Sequence, residues 1–139
     1  MFQHILVPVD LSAKNKQTLE IAVKVASLEN GKVTTLHVIE LIADTSFEEF
    51  GDFYTKLEQK AQEEIEKMAS PYKESGLKIE RIIVFGNRTE EILKYAESQA
   101  VDLMVMNAHK VDPSDPGQGW GTISYKIGIL AQCPVLLVK

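Results

Sequence analysis

Near the start of the chain the residues FQHILVPV, positions 2 to 9, are apolar almost throughout and stop at Asp10. A strand with one wet face alternates apolar and polar side chains; a run without alternation reads as a strand covered on both faces, as inside a parallel sheet. Parallel neighbours cannot be joined by a tight turn and need a long crossover, usually a helix. Such an opening therefore demands that helices and further apolar runs alternate along the rest of the chain.

They do. Ser12 is the expected cap of a first helix in which Leu19, Ala22, Val23 and Ala26 share a face, and Asn30-Gly31 is the expected stop, with glycine in the left-handed conformation. Lys32 to Ile39, KVTTLHVI, is β-branched and predicts a second strand. After a less regular segment from Glu40 to about Asp52, the spacing of Phe53, Leu57, Ala61, Ile65 and Met68 predicts an amphipathic helix to about Ser75, closed by Gly76. Ile79 to Phe85 is a third strand. Asn87 or Thr89 then caps a third helix, whose Glu90 and Glu91 suit the positive end of its dipole. Val101 to Met106 is a fourth strand; Ile123, Ile127 and Leu130 line a short fourth helix; Val135 to Val138 is a fifth strand. This order predicts a doubly wound α/β fold, an open five-stranded parallel sheet with helices on both faces, in one domain over residues 1 to 139.

Charge and composition exclude several function classes. The net charge of −5 and the scattered Lys and Arg residues argue against nucleic acid, which requires a basic face. The apolar opening is too short to span a membrane and lacks a basic start and a cleavage site, so a cytoplasmic protein without membrane contact is expected. The single cysteine, Cys133, is expected as a small buried core residue. His4, His37 and His109 have no metal-ligand spacing; two lie in predicted strands and are expected to be structural. No Ser-His-Asp, Cys-His or paired-carboxylate arrangement can be assembled, so no catalytic and no metal-binding residue is assigned.

Ligands of such sheets bind outside the carboxyl ends of the strands, where the strand order reverses. Two segments qualify: Pro8-Val9-Asp10, and the loop NAHKVDPSDPGQGWGT from Asn107 to Thr122. In that loop Gly117, Gly119 and Gly121 offer unobstructed amides, Thr122 or Ser124 offers a hydroxyl, and the helix starting near Ile123 offers a positive end for phosphate. The plainer alternative is a flexible approach and a threonine cap. Lys110 against Asp112 and Asp115 leaves the loop at −1 with His109 neutral, which repels a triphosphate unless Mg²⁺ intervenes. Neither the P-loop nor the strict G-x-G-x-x-G pattern is present. Asp10 either touches a ribose or metal or helps to cap the first helix.

Four stretches, ILVPVDLSAKNKQTLEIAVKVA, HVIE, DLMVMNAH and GTISYKIGILAQCPVLLVK, resemble the universal stress protein family, and the resemblance covers the whole chain. It implies the strand order 3-2-1-4-5 and a homodimer through the last strands, here Val135 to Val138. Many members of that family bind ATP through glycine, two residues, glycine, nine residues, glycine and then Ser or Thr; others lack the motif and do not bind. Position by position, the first glycine falls on Asn107 and the second on Lys110, so both are lost. The final pair is kept as Gly121-Thr122, but ten residues separate Lys110 from Gly121. Asp10 matches the aspartate at the end of strand one, and Val38 matches the residue whose backbone holds the base.

Asparagine tolerates positive φ, so Asn107 is expected to preserve the backbone turn, whereas Lys110 places a side chain where glycine let phosphate approach. The resemblance thus implies a small dimeric stress-response or signalling module with a degenerate adenine-nucleotide site, not an enzyme. Its alternative is a working ATP or AMP sensor, taking an adenine nucleotide with Mg²⁺, in which Gly117, Gly119, Gly121, Thr122 and Ile123 rebuild the phosphate loop. A different class of reading is a nucleotide-independent interaction protein that offers the 107 to 122 loop and Trp120 to an unknown protein partner. Slow ATP hydrolysis stands third, for want of a candidate base.

Overall fold

The computed structural model describes residues 1 to 43, 46, 48 to 108, 114 and 123 to 139. In chain order the elements are β1 (His4–Pro8), α1 (Asn15–Ser27), β2 (Lys32–Ile39), α2 (Gly51–Ala69) with a 3₁₀ turn (Ser70–Tyr72), β3 (Ile79–Phe85), α3 (Arg88–Ser98), β4 (Leu103–Asn107), α4 (Ile123–Leu130) and β5 (Val135–Val138). The strands form one sheet in the order β3-β2-β1-β4-β5, and every pair is parallel.

The non-alternating runs are buried on both faces, as their pattern requires. Ile5 and Val7 of β1, Val33 of β2 and Leu103 and Val105 of β4 pack with Leu19, Ala22, Val23 and Ala26 of α1 and with Ile65 and Met68 of α2. On the opposite face Leu6, Leu36, Val38, Met104 and Met106 pack with Ile92 and Ala96 of α3 and Ile127 of α4. Burying one such side chain stabilises the fold by about 1.5 to 3 kcal/mol, so the two layers together hold the sheet between them.

Several local expectations are corrected. Ser12 does not cap α1: its own amide donates to Asp10 Oδ1 at 2.9 Å, and the helix begins later, at Asn15, with Lys14 in the cap position and no side-chain cap bond. Asn30, with φ 53°, takes the left-handed conformation assigned to Gly31. Gly31 is required for space instead, because a Cβ there would stand 2.6 Å from the Phe2 carbonyl oxygen. In α2, which ends at Ala69, Tyr54 faces the core and is fully buried while Phe53 is exposed; the Ile42 amide donates to the Tyr54 hydroxyl at 2.8 Å. The inward face departs from the apolar spacing only at this first turn; Ala61, Ile65 and Met68 are buried as their spacing predicts. Leu130, expected on the inner face of α4, is exposed, and Cys133 is half-buried at the margin of the second core layer.

Candidate functional site

The site follows from strand lengths. β1 ends at Pro8, paired with Leu36, while β2 runs on to Ile39 and β4 to Asn107, leaving a notch above the short central strand. In a parallel strand successive residues aim their N–H and C=O groups to opposite sides. The Leu36 carbonyl accepts from the Val9 amide at 2.9 Å and the Ile39 carbonyl from the Gly86 amide at 3.1 Å, so Val38 aims its backbone groups toward β1. Val38 lies two residues past the last β1–β2 pair, so those groups face the notch. This is the strand-order switch point, with α1 leaving on one face of the sheet and α4 on the other.

Above the notch is a cavity of about 310 Å³, within the range of small-molecule sites. Its floor is apolar: Pro8, Val9, Leu36, Val38, Ile92 and Met106. The described polar residues that line it are Asp10, Ser12, Lys14, Arg88, Asn107 and Ser124. Of the residues assigned from sequence, Pro8, Val9, Asp10, Val38, Asn107 and Ile123 line this one cavity. Gly117, Gly119, Gly121 and Thr122, together with His109, Lys110, Asp112, Asp115 and Trp120, lie outside the described residues.

Asp10 is held in place from several sides. Leu11, next to it, takes φ 69°, a left-handed conformation that costs a side-chain-bearing residue roughly 1 to 2 kcal/mol. This turn folds the Asp10 carboxylate back onto the Ser12 amide. Partial burial pushes the carboxyl pKa up, but hydrogen bonds from the Ser12 side chain and backbone and from Asn107 outweigh it, leaving the pKa below its ordinary value. At neutral pH the rim therefore carries a fixed negative charge. Around it the histidine reading holds: His37 donates from Nδ1 to the Val9 carbonyl at 2.8 Å, a structural bond.

Asn107 corrects its expectation. It belongs to β4 and is not among the residues with positive φ, so it does not imitate a glycine turn. Its side chain contributes instead: Asn107 Oδ1 accepts from Asn15 Nδ2 at 2.9 Å, and Asn15 Oδ1 accepts from the Asp10 amide at 3.0 Å. Asn15, fully buried, thus ties the end of β1 to the end of β4. Sequence reading missed it, although its signal was present: position 15 lies on the same helical face as Thr18, Leu19, Ala22 and Ala26, where a polar residue needs a reason. Lys14 and Arg88 were also missed, being charged residues without a motif. Arg88 is positioned by the Glu40 carboxylate, which accepts the Arg88 amide at 3.1 Å, while the Asn87 side chain caps α3 by accepting the Glu90 amide at 3.0 Å.

Chemically, the cavity offers an apolar slot, a backbone edge with one donor and one acceptor, a carboxylate for hydroxyl groups and two cations. No group of three or more His, Cys, Asp or Glu side chains suited to a metal occurs among the described residues, and Asp10 is the only carboxylate among those lining the cavity. A divalent cation there would depend on ligands that a phosphate brings with it.

Comparison with known proteins agrees with this architecture. The universal stress protein family model matches residues 1 to 139. Universal stress protein MJ0577 of Methanocaldococcus jannaschii is 32% identical over 130 residues, covering 78% of each chain. A solved structure of MJ0577 superposes with a TM-score of 0.84 at 31% identity, covering 100% of this chain and 96% of that one. Two more distant structures share the fold: a universal stress protein from Archaeoglobus fulgidus in complex with dAMP, at 20% identity, 99% and 98% coverage and TM-score 0.71, and a universal stress protein in complex with cAMP, at 16% identity, 99% and 97% coverage and TM-score 0.73. With the family model matched from end to end and a relative of this similarity, the chain belongs to the universal stress protein family.

Proposed function

We propose that this protein is a nucleotide-responsive stress module that binds an adenine nucleotide in the notch above β1 and does not turn it over. The observation that carries the reading is the pairing of the free Val38 backbone edge with an ionised Asp10 across one apolar cavity. Adenine presents an adjacent donor and acceptor on its edge, which Val38 C=O and N–H match, and its flat ring fits among Pro8, Leu36, Ile92 and Met106. The ribose hydroxyls would donate to Asp10. The dAMP and cAMP complexes of two family members lend support to an adenine ligand, each for its own protein.

A binding role without catalysis is favoured by how the nearby groups are engaged. Asp10 is a weak base with its pKa held low, and His37 Nδ1 is committed to Val9. A homodimer in the cytoplasm is part of the same reading. β5 is an edge strand whose outer backbone is unpaired in the sheet, and its Leu136 is 41% exposed, which suits pairing with a second copy. Dimer and nucleotide are separate elements of the proposal.

Thermal denaturation tests the ligand. At about 100 times its dissociation constant, AMP, ADP or ATP should stabilise the fold by roughly 2.7 kcal/mol, a shift of several degrees at this size. An unmoved midpoint with all of them at millimolar concentration, with and without Mg²⁺, would overturn the reading and favour an interaction protein that needs no nucleotide.

A further inference from the structure

We infer that Lys14 and Arg88 hold the ligand's phosphate and make a nucleoside monophosphate, not a triphosphate, the preferred occupant; the inference rests on the adenine reading above. Both side chains line the same cavity as Asp10. Among the described residues the ion pairs engage the N-terminus, Lys24, Lys32, Lys67, Lys73, Lys78 and Arg81, and neither Lys14 nor Arg88 is in one. Among the described residues lining the cavity, two cations stand against Asp10, a sum of +1 in a chain whose net charge is −5.

Position adds to the argument. Lys14 stands at the cap of α1, a helix with no acidic residue in its first turn and no side-chain cap. A cation at the positive end of a helix dipole is unfavourable for the helix itself, so the residue works against local stability where it faces the cavity. An anion placed there relieves both charges. Arg88, the first residue of α3, lines the same cavity at the start of that helix.

Magnitude of charge selects the ligand. A phosphate monoester carries about −1.5 to −2 at neutral pH, close to what two cations neutralise. The additional charge of a triphosphate would meet Asp10, and the sequence has Asn107 and Lys110 where the family's phosphate loop has its first two glycines. The cavity volume of about 310 Å³ lies at the small end of ligand sites, which also favours the shorter ligand.

Calorimetric titration of the full chain with adenosine, AMP and ATP, each without Mg²⁺, tests this. The expected result is AMP bound at least about tenfold more tightly than adenosine, the worth of one charge-assisted hydrogen bond, and more tightly than ATP. In K14A/R88A, two exposed positions, the AMP-to-adenosine affinity ratio should fall toward one, and in the unaltered protein it should shrink with added salt. Equal affinity for adenosine and AMP, a preference for ATP, or an unchanged ratio in the double variant would each overturn the inference while leaving the adenine reading intact. Failure of adenosine and every nucleotide to bind would overturn the adenine reading itself.

Discussion

The two ends of the sheet use similar polar residues to opposite effect. At the amino-terminal end polar groups join the strands directly: Asp102 accepts from the Gln3 and His4 amides at 2.8 and 3.1 Å, and His4 bridges the Gln99 carbonyl at 3.0 Å and Thr34 Oγ1 at 2.9 Å. Gly31 lets the chain close against Phe2. At the carboxyl-terminal end β1 stops early, and Asp10, Asn15 and Asn107 bind one another around a space that they do not fill. Satisfied polar groups stabilise at one end; at the other they hold a cavity open.

The comparison breaks most severely at Asn15, which serves both stability and the site. Asn15→Leu would leave the Asp10 amide and the Asn107 side-chain Oδ1 without their partner, an expected cost of about 2 to 3 kcal/mol in urea unfolding together with weakened nucleotide binding. A loss under about 1 kcal/mol would show that the bridge is dispensable. Next comes Gly31→Ala at the closed end. The clash is with backbone, which cannot swing aside as a side chain can, so about 2 kcal/mol should be lost while AMP affinity, measured on the folded protein, stays the same. Coupled loss of affinity would mean that the two ends are not separable.

Asp10→Asn probes the open end alone. Stability should change by no more than about 0.5 kcal/mol, whereas adenosine affinity should drop by about tenfold. The pH dependence has a definite sign. With the folded pKa below the unfolded value of about 4, the Asp10 contribution is complete above that value and is lost as pH falls through the folded pKa. Adenosine binding that weakened between pH 8 and 5 in step with Asp10 titration would contradict the assigned ionisation. The smallest effect concerns Cys133, near the closed end. Burial, followed by the Asp102 carboxylate, pushes its thiol pKa up, so alkylation by iodoacetamide at pH 7.5 should run slower than that of the unfolded chain and recover as pH rises.

Legibility followed the range of the interaction. β2, β3 and β5 have the bounds that their apolar and β-branched runs predict, because such side chains suit a pleated surface even where Glu80 and Arg81 interrupt the run in β3. Helix starts were less legible. Ser12 looks like a cap, yet its amide is claimed by Asp10, and Tyr54 replaces Phe53 inside because its hydroxyl meets the Ile42 amide. The expected positive φ at Asn107 failed for a similar reason: a ladder with β5 through Val138 fixes its backbone, and a buried partner on another helix uses its side chain.

What the amino-acid order determined by itself was the alternation of strands and helices, the two apolar layers and, through short local motifs, the family and the end of the sheet where ligands would bind. Those depend on periodicity and on neighbours a few residues apart. Only the tertiary structure decided that β1 stops two residues below Val38, that Asn15 reaches across 92 positions to Asn107, and that Lys14 and Arg88 share a cavity. Strand register and contacts between distant elements are set when the layers pack, and no local pattern encodes which polar side chains will then meet.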